Sequence, residues 1–336
     1  MKNNVVYFLG AGFSAPLGLP VMSNFIEKAK DIYFGNEEGY EYFKRIFSMI
    51  NELGVLKTYM DINLTNIEDI LSLLEMGFTV GQNMKGKEEY VRFIKQTIQH
   101  YTPALSTEDI TNSLLSQHYG KNWVKTGKNV ELHTKYGNFV ASLLDISLRN
   151  EQSTFGPRYS HLNKSDNTYS IVALNYDNIL ENIVSYIQKL FPSHTQYALR
   201  YAKLHGSINT DIILPSWNKS ENSILLGAWK AAYEYMSNAN HIRFIGYSMP
   251  QTDAYIKYLV GTSLKDTKHF KKVDILCKDP DGSTQLRYRA IFGNYQQFRF
   301  KNTSVENYFE FLYPNSYIPV NSDIEMRHHQ FMENKN

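Results

Sequence analysis

The stretch that decides the fold is VVYFLGAGFSAPLGLP, residues 5–20. Val5 to Leu9 form a short apolar run that begins with β-branched residues, which is typical of a buried parallel strand. Glycines, a serine and two prolines follow without a charge, and Ser23 or Asn24 is the expected N-cap of a helix through FIEKAKDIYF. Three interpretations are open here: a secretion signal, a strand and turn in a packed core, or the floor of a nucleotide site.

A secretion signal is the weakest of the three interpretations. Lys2 precedes the apolar run and FSA resembles a cleavage site, but Gly10 and Gly12 interrupt the run after about five strongly apolar residues. No other segment approaches the roughly 18 apolar residues of a membrane span. The single cysteine, Cys277, is compatible with a reducing compartment. We therefore expect a cytoplasmic protein without a membrane partner.

Composition excludes several classes of protein. The chain has 336 residues, of which 43% are hydrophobic and 20% charged, as in ordinary globular proteins. Its net charge is only +2, which gives no reason to expect direct nucleic-acid binding. One cysteine cannot form a disulfide framework or a zinc ribbon, so we expect no zinc and no other metal. The pair His328-His329 shows no acidic or cysteine partner at ligand spacing, and we interpret it as part of a frayed C-terminal tail.

Strands alternate with helices in the second half of the chain. Apolar runs that end in polar or glycine residues occur in YSIVALNYD (169–177), YAKLHGSIN (201–209), HIRFIGYSMP (241–250) and KKVDILCKDP (271–280). Between about residues 40 and 150 the apolar period is helical, as in NIEDILSLLEMGF (66–78). This pattern predicts an α/β fold, a Rossmann-like doubly wound parallel sheet with an inserted helical module. We expect one domain, with 1–35 and 165–315 as the core and 36–164 as the insertion.

The loop after the first strand has the spacing of a dinucleotide-binding turn. Gly10, Gly12 and Ala15 match G-x-G-x-x-G/A between a strand and a helix, where glycines permit a tight turn and the approach of a pyrophosphate. A glycine turn in a packed core explains this spacing equally well. Asp31 lies near the distance expected for a ribose ligand, but it falls in a predicted helix. The sequence therefore does not match the form of this motif that occurs in dehydrogenases.

The other strand ends carry further polar residues. Asn175 and Asp177 follow the second strand, and His205 precedes a glycine after the third; each has an alternative role as a helix cap or a structural histidine. The fourth strand is followed by residues that could contact a ribose or phosphate, or form a turn and cap: Gly246, Ser248 and Asp253. Ligands of doubly wound folds bind beyond the carboxyl ends of the strands, which is where these residues fall.

Taken together and in this order, GAGFSAPLGLP, LNYDN, LHGS and IGYSMPQTD resemble the motifs of the sirtuin-like (SIR2-like) superfamily. They are most similar to the bacterial branch of antiphage-defence proteins that hydrolyse NAD, in which IEDILSLLE also resembles a common segment. The resemblance implies that Asn175 and His205 are the catalytic pair. It implies an NAD+ hydrolase that releases nicotinamide and ADP-ribose in abortive antiphage defence.

The resemblance also suggests roles for the remaining residues. Asn175 would orient the ribose hydroxyls or the attacking water, His205 would accept a proton, and Asp177 would hold the nicotinamide amide or stabilise positive charge. The diphosphate would be held by Gly10, Ala11, Gly12 and Ser14, and the adenosine side by Gly246, Ser248 and Asp253.

Two departures separate the chain from protein-deacylating sirtuins. Those enzymes usually carry a four-cysteine zinc module, which Cys277 alone cannot form, and an acidic-aromatic-arginine stretch where this chain has VMSNF. A protein deacylase or ADP-ribosyltransferase is therefore disfavoured. A non-catalytic NAD or ADP-ribose sensor is the other alternative. Related short chains act with a HerA-like ATPase or an Argonaute-type protein, so we expect such a partner together with homo-oligomerisation.

Overall fold

A computed structural model describes residues 3–80, 85–104, 128–144, 167–190, 199–210, 212, 223–251, 253–267, 269–314 and 321–334. Its centre is a six-stranded sheet in which all neighbouring strands are parallel. The strands are β1 (Asn3–Leu9), β2 (Asn167–Ala173), β3 (Arg200–Lys203), β4 (His241–Ile245), β5 (Lys272–Cys277) and β6 (Phe298–Asn302). Their order, β3-β2-β1-β4-β5-β6, is that of the doubly wound dinucleotide-binding fold. The predicted Rossmann-like fold is confirmed.

Helices cover both faces of the sheet, so the central strands are buried on both sides. Their bounds are α1 (Phe25–Gly35), α2 (Glu41–Glu52), α3 (Ile67–Thr79), α4 (Lys85–Tyr101), α5 (Lys128–Leu143), α6 (Ile179–Leu190), α7 (Ser223–Ser237), α8 (Ala254–Lys265), α9 (Ser283–Phe292), α10 (Val305–Leu312) and α11 (Asn321–Glu333). Val5, Tyr7 and Leu9 pack with α1–α6, α10 and α11, whereas Val6 and Phe8 pack with α7–α9. The alternation along β1 explains its continuous apolar sequence.

The helices predicted as an insertion, α2 to α5, come between β1 and β2. Their buried residues belong to the same apolar cluster as Tyr7 and Leu9 of β1. The predicted domain bounds at 35/36 and 164/165 stay a prediction, and the second lies outside the described residues. None of the described helices has the length and apolar character required to cross a membrane.

The start of α1 differs in detail from the expectation. Asn24 occupies the N-cap position, but its side chain makes no hydrogen bond to the helix. Instead Asn24 Oδ1 accepts a hydrogen bond from the Val21 amide at 2.9 Å. This bond shapes the chain that leads into the helix and does not cap the helix itself.

The interpretation of His328-His329 as a frayed tail is wrong, because both residues lie in α11. His328 is fully buried, with Nε2 2.8 Å from Asp274 Oδ2 and Nδ1 2.8 Å from the Tyr308 hydroxyl. Asp274 also accepts two hydrogen bonds from Arg299 and is therefore an acceptor, which requires the Nε2–H tautomer of His328. Apolar residues are sparse in α11, so its helical period was weak in the sequence.

A buried ion pair also holds α11 against β4. Arg243 is 0% exposed, and its guanidinium donates to Glu325 Oε1 at 2.9 Å, Glu325 Oε2 at 2.5 Å and the Tyr7 hydroxyl at 2.6 Å. Burial favours the neutral acid, but the charge and hydrogen bonds of Arg243 prevail and lower the pKa of Glu325 to about 2. The C-terminal helix is thus part of the core.

Candidate functional site

The loops that follow β1 and β4 cross backbone to backbone. The amide of Gly10 donates to Ile245 O at 3.1 Å, and that of Gly12 donates to Gly246 O at 2.9 Å. A Cβ on Gly12 would lie 2.8 Å from Gly246 O, and one on Gly246, whose φ is +65°, would collide with Phe13 N. These contacts explain the glycines by packing alone. The diphosphate-binding role of Gly10, Ala11 and Gly12 stays a prediction.

Ser14 links the first loop to the end of β2. Its side chain is buried, and Ser14 Oγ accepts a hydrogen bond from Asn175 Nδ2 at 3.0 Å. Asn175 is 8% exposed, and its Oδ1 has no hydrogen-bond partner among the described residues. A buried acceptor in this state is costly unless a ligand or water donates to it. Ser14 therefore holds Nδ2 of the Asn175 carboxamide, and Oδ1 is able to accept a hydrogen bond from a ligand.

Asp177 forms the start of α6. Its Oδ1 accepts a hydrogen bond from the Ile179 amide at 3.1 Å, and Lys203 Nζ donates to its backbone oxygen. Burial raises the pKa of Asp177, an effect opposed by the charge of Lys203 and by a hydrogen bond from Ser14. The helix-start alternative therefore accounts for the observed contacts of Asp177, and its catalytic role stays a prediction.

A small pocket opens between the ends of β1, β2 and β3. Polar groups of Ser14, Asn175, Asp177, Glu181 and Tyr201 line it together with four apolar residues: Leu9, Phe13, Ala173 and Leu180. Three residues predicted from the sequence, Ser14, Asn175 and Asp177, are thus brought together. They lie at the carboxyl edge of the sheet next to the β1/β4 boundary, where the strand order reverses.

His205 follows β3 and is 1% exposed. Its ring lies against that of Tyr176, with centroids 5.8 Å apart. Its Nδ1 is 3.8 Å from Oε1 of Glu68, a residue in the first turn of α3. Glu68 is not among the residues predicted for the site, although it lies within IEDILSLLE. The adjacent Asp69 is also acidic, so the helix pattern gave no signal that singled out Glu68.

Two carboxyl groups lie close enough on this side of the site to interact. Asp253 precedes α8, is 2% exposed and accepts a hydrogen bond from the Tyr247 hydroxyl at 2.7 Å. Glu68 accepts one from the Tyr176 hydroxyl at 3.1 Å. Burial, followed by the negative charge of Asp253, raises the pKa of Glu68 to about 8, against the opposing effect of Tyr176. Pairs of this kind are common where protons are transferred.

The remaining predicted residues lie in the loop after β4. Gly246 contacts the first loop, as described above. Ser248 is half-buried, and its backbone oxygen accepts a hydrogen bond from Arg287 Nε at 3.0 Å. Nothing in these contacts distinguishes a ribose-binding role from a turn, so the roles of Gly246, Ser248 and Asp253 toward adenosine stay predictions.

One cluster among the described residues has metal-ligand spacing, at the opposite edge of the sheet. Ligand atoms of His241, Glu325 and His329 lie within 4.8 Å of one another. Glu325 is four residues before His329 on α11, so the expectation of no acidic partner was wrong. However, both Glu325 oxygens accept hydrogen bonds from Arg243, and Arg299 lies 3.1 Å from His329 Nδ1. The guanidinium groups of Arg243 and Arg299 already contact two of the three ligands, Glu325 and His329, and we assign no metal to this cluster.

Fold and site together define a doubly wound α/β protein with polar residues gathered at the strand reversal. No protein-family model matches the chain, and no curated protein does. Solved sirtuin structures align with it over 94% of both chains: Sir2Tm bound to a propionylated peptide (12% identity, TM-score 0.41), Sir2 with a p53 peptide and NAD+ (11%, 0.40) and Sir2 bound to an acetylated peptide (12%, 0.37).

Proposed function

We propose that the protein is an NAD+ glycohydrolase that converts NAD+ and water into nicotinamide, ADP-ribose and a proton. The observation that carries the proposal is the buried carboxamide of Asn175, which Ser14 holds by Nδ2 while Oδ1 has no partner among the described residues. The motif resemblance supplies the substrate, and the strand reversal is where a nucleotide binds in this fold.

The reaction breaks the bond between nicotinamide and ribose through an oxocarbenium-like ribose, as in glycoside hydrolysis. Nicotinamide leaves as a neutral molecule, so the leaving group needs no strong acid. Asn175 Oδ1 accepts a hydrogen bond from a ribose hydroxyl or from the attacking water. His205 accepts the proton that the water loses, and Asp177 contacts the nicotinamide amide. In the proposal Gly10, Ala11, Gly12 and Ser14 face the diphosphate, while Gly246, Ser248 and Asp253 face the adenosine side.

The test is chromatography of NAD+ after incubation with the purified protein. Asn175→Ala and His205→Ala are each expected to lower turnover by about 100-fold or more, because positioned proton acceptors and preorganised polar groups contribute on that order. Asn182→Ala on α6 and His100→Ala on α4 are matched controls at exposed positions and should retain full turnover. Unchanged turnover in the Asn175 or His205 variant would refute the assignment.

Binding of NAD+ without turnover, measured by calorimetry in the wild type, would instead support a sensor.

The proposal requires no zinc, so incubation with a chelator should leave turnover unchanged. Turnover that disappears with the chelator and returns with zinc would contradict this part of it.

We further propose that the protein acts in the cytoplasm as a homo-oligomer in antiphage defence, under the control of a HerA-like ATPase or an Argonaute-type partner. These points rest on the resemblance. Light scattering on the purified chain measures its oligomeric state. NAD+ turnover with and without each candidate partner measures whether that partner regulates the activity. A monomer whose turnover is indifferent to both partners would refute this part.

A further inference from the structure

Glu68 has contacts that the proposed mechanism does not use. It lies in the first turn of α3, its side chain is only 12% exposed, and its Oε1 accepts the Tyr176 hydroxyl at 3.1 Å. The same oxygen is 3.8 Å from His205 Nδ1, just beyond hydrogen-bond distance. Catalytic hydrogen bonds are often long before substrate binds.

We propose that Glu68 is the positioning residue for His205, and that α3 of the helical segment thereby completes the active site. This inference rests on the proposed function, in which His205 exchanges the proton. A carboxylate that holds Nδ1–H selects the tautomer whose lone pair is on Nε2. Nε2 then accepts the proton from the attacking water, and the negative charge of Glu68 stabilises the imidazolium until the proton passes to solvent.

Tyr176 fixes both partners of this pair. Its hydroxyl donates to Glu68 and its ring lies against the His205 ring, so the carboxylate and the imidazole keep their relative orientation. Because Tyr176 also lies between Asn175 and Asp177, the arrangement connects the proton acceptor to the residues predicted to hold the ribose and nicotinamide.

The titration of Glu68 gives the inference a distinctive pH dependence. Among the described residues, the titratable groups that face it are Tyr176, His205, Tyr247, Asp253 and the adjacent Asp69. Its pKa, raised by burial and then by Asp253 to about 8, means that the carboxylate forms as pH increases through that value. A negative charge beside the imidazole favours transfer of the water's proton to His205, so kcat/KM should rise as pH increases through about 8.

The experiment compares Glu68→Gln and Glu68→Asp with Glu75→Gln. Glu75 lies on the same helix, where it pairs with Lys87 at 3.0 Å, and provides the same change of charge outside the site. Glu68→Gln should lower kcat at least about tenfold with little change in KM, and should abolish the rise near pH 8. Glu68→Asp should recover part of kcat and part of the rise near pH 8. Glu75→Gln should match the wild type.

An NMR titration of His205, assigned with His205→Gln, provides a readout independent of turnover. In the wild type the His205 signals should show an inflection near pH 8 that Glu68→Gln removes and Glu75→Gln retains. If this result is obtained but neither the wild type nor any variant hydrolyses NAD+, the pairing of Glu68 with His205 stands and the proposed function fails. If the His205 titration and the pH profile are unchanged in a folded Glu68→Gln protein, the inference is overturned.

Discussion

Gly246 shows how a single residue joins two loops of the site. Its φ of +65° lies in the left-handed region, and its Cα faces the backbone of Gly12 and Phe13. An added methyl group meets backbone atoms and not flexible side chains, so the strain cannot be relieved by a rotamer change. The loop after β4 therefore requires glycine for its own conformation and also for its approach to the loop after β1.

We expect Gly246→Ala to lower the free energy of unfolding by about 2–4 kcal/mol, because it combines left-handed strain with a backbone collision. The measurement is urea denaturation followed by circular dichroism. Gly261→Ala in α8 is the matched control: no atom lies within 4 Å of its added Cβ. In that helix the change should stabilise by up to about 1 kcal/mol. Equal stability of the two variants would show that the loops do not cross as described.

At the scale of elements, α11 is held by a buried ion pair as well as by the apolar side chains of Ile324 and Phe331. Arg243 is completely buried in β4, and a buried charge that loses its partner is strongly destabilising. We expect Glu325→Gln to reduce the free energy of unfolding by about 3–5 kcal/mol. The control is Glu333→Gln on the same helix, 69% exposed and 3.6 Å from Arg299, where about 0–1 kcal/mol is expected. A similar loss in both variants would contradict the burial of the Arg243 pair.

His328, on the same helix, predicts how stability depends on pH. Burial, together with the charge of Arg243, lowers its pKa from 6.5 to about 3, so the folded protein keeps the imidazole neutral. At pH values between the folded and the unfolded pKa, His328 is protonated in the unfolded chain but not in the folded protein. The free energy of unfolding therefore falls as pH decreases, by about 1.4 kcal/mol per pH unit. Denaturation series between pH 4 and 8 should show this slope below about pH 6.5 and none from His328 above it, and the slope should be smaller in His328→Gln. An identical slope in the two proteins would exclude His328 as its source.

For the whole molecule, the helical segment and the sheet share one apolar core. Phe13 of the first loop packs on Tyr136 of α5 with ring centroids 5.1 Å apart, and Tyr7 of β1 packs on Phe139 at 5.2 Å. Lys95 of α4 donates to Thr210 O at 2.6 Å, beyond β3. The segments predicted as core and insertion are therefore expected to unfold together.

Hydrogen exchange in increasing urea measures this cooperativity. Amides of α2–α4 and of β1 should lose protection at the same urea concentration, because the two groups bury each other's apolar residues. Exchange of α2–α4 at a clearly lower concentration would instead show two independently folding units, and would contradict the prediction of one domain with an insertion at 36–164.

The parts of this architecture that were predictable share a local cause. Strands β1, β2, β4 and β5 are apolar runs because both of their faces are buried, and the segments after β1, β2 and β4 carry polar residues of the site. Strand β6 was missed because FRFKN at the sheet edge is only half-buried and alternates with charges. Glu68 was missed for another reason: its proximity to His205 arises when α3 docks on the sheet, and no local pattern encodes that.

The Arg243 pair also has a consequence for biosynthesis. Glu325 is 82 residues further along the chain, so at about 5–20 residues per second it is synthesised roughly 4–16 s after Arg243. During that interval β4 can join β1 only by burying a cation without its counterion. Stable pairing of β4 with β1 is therefore expected only once α11 has been synthesised and Glu325 can reach Arg243.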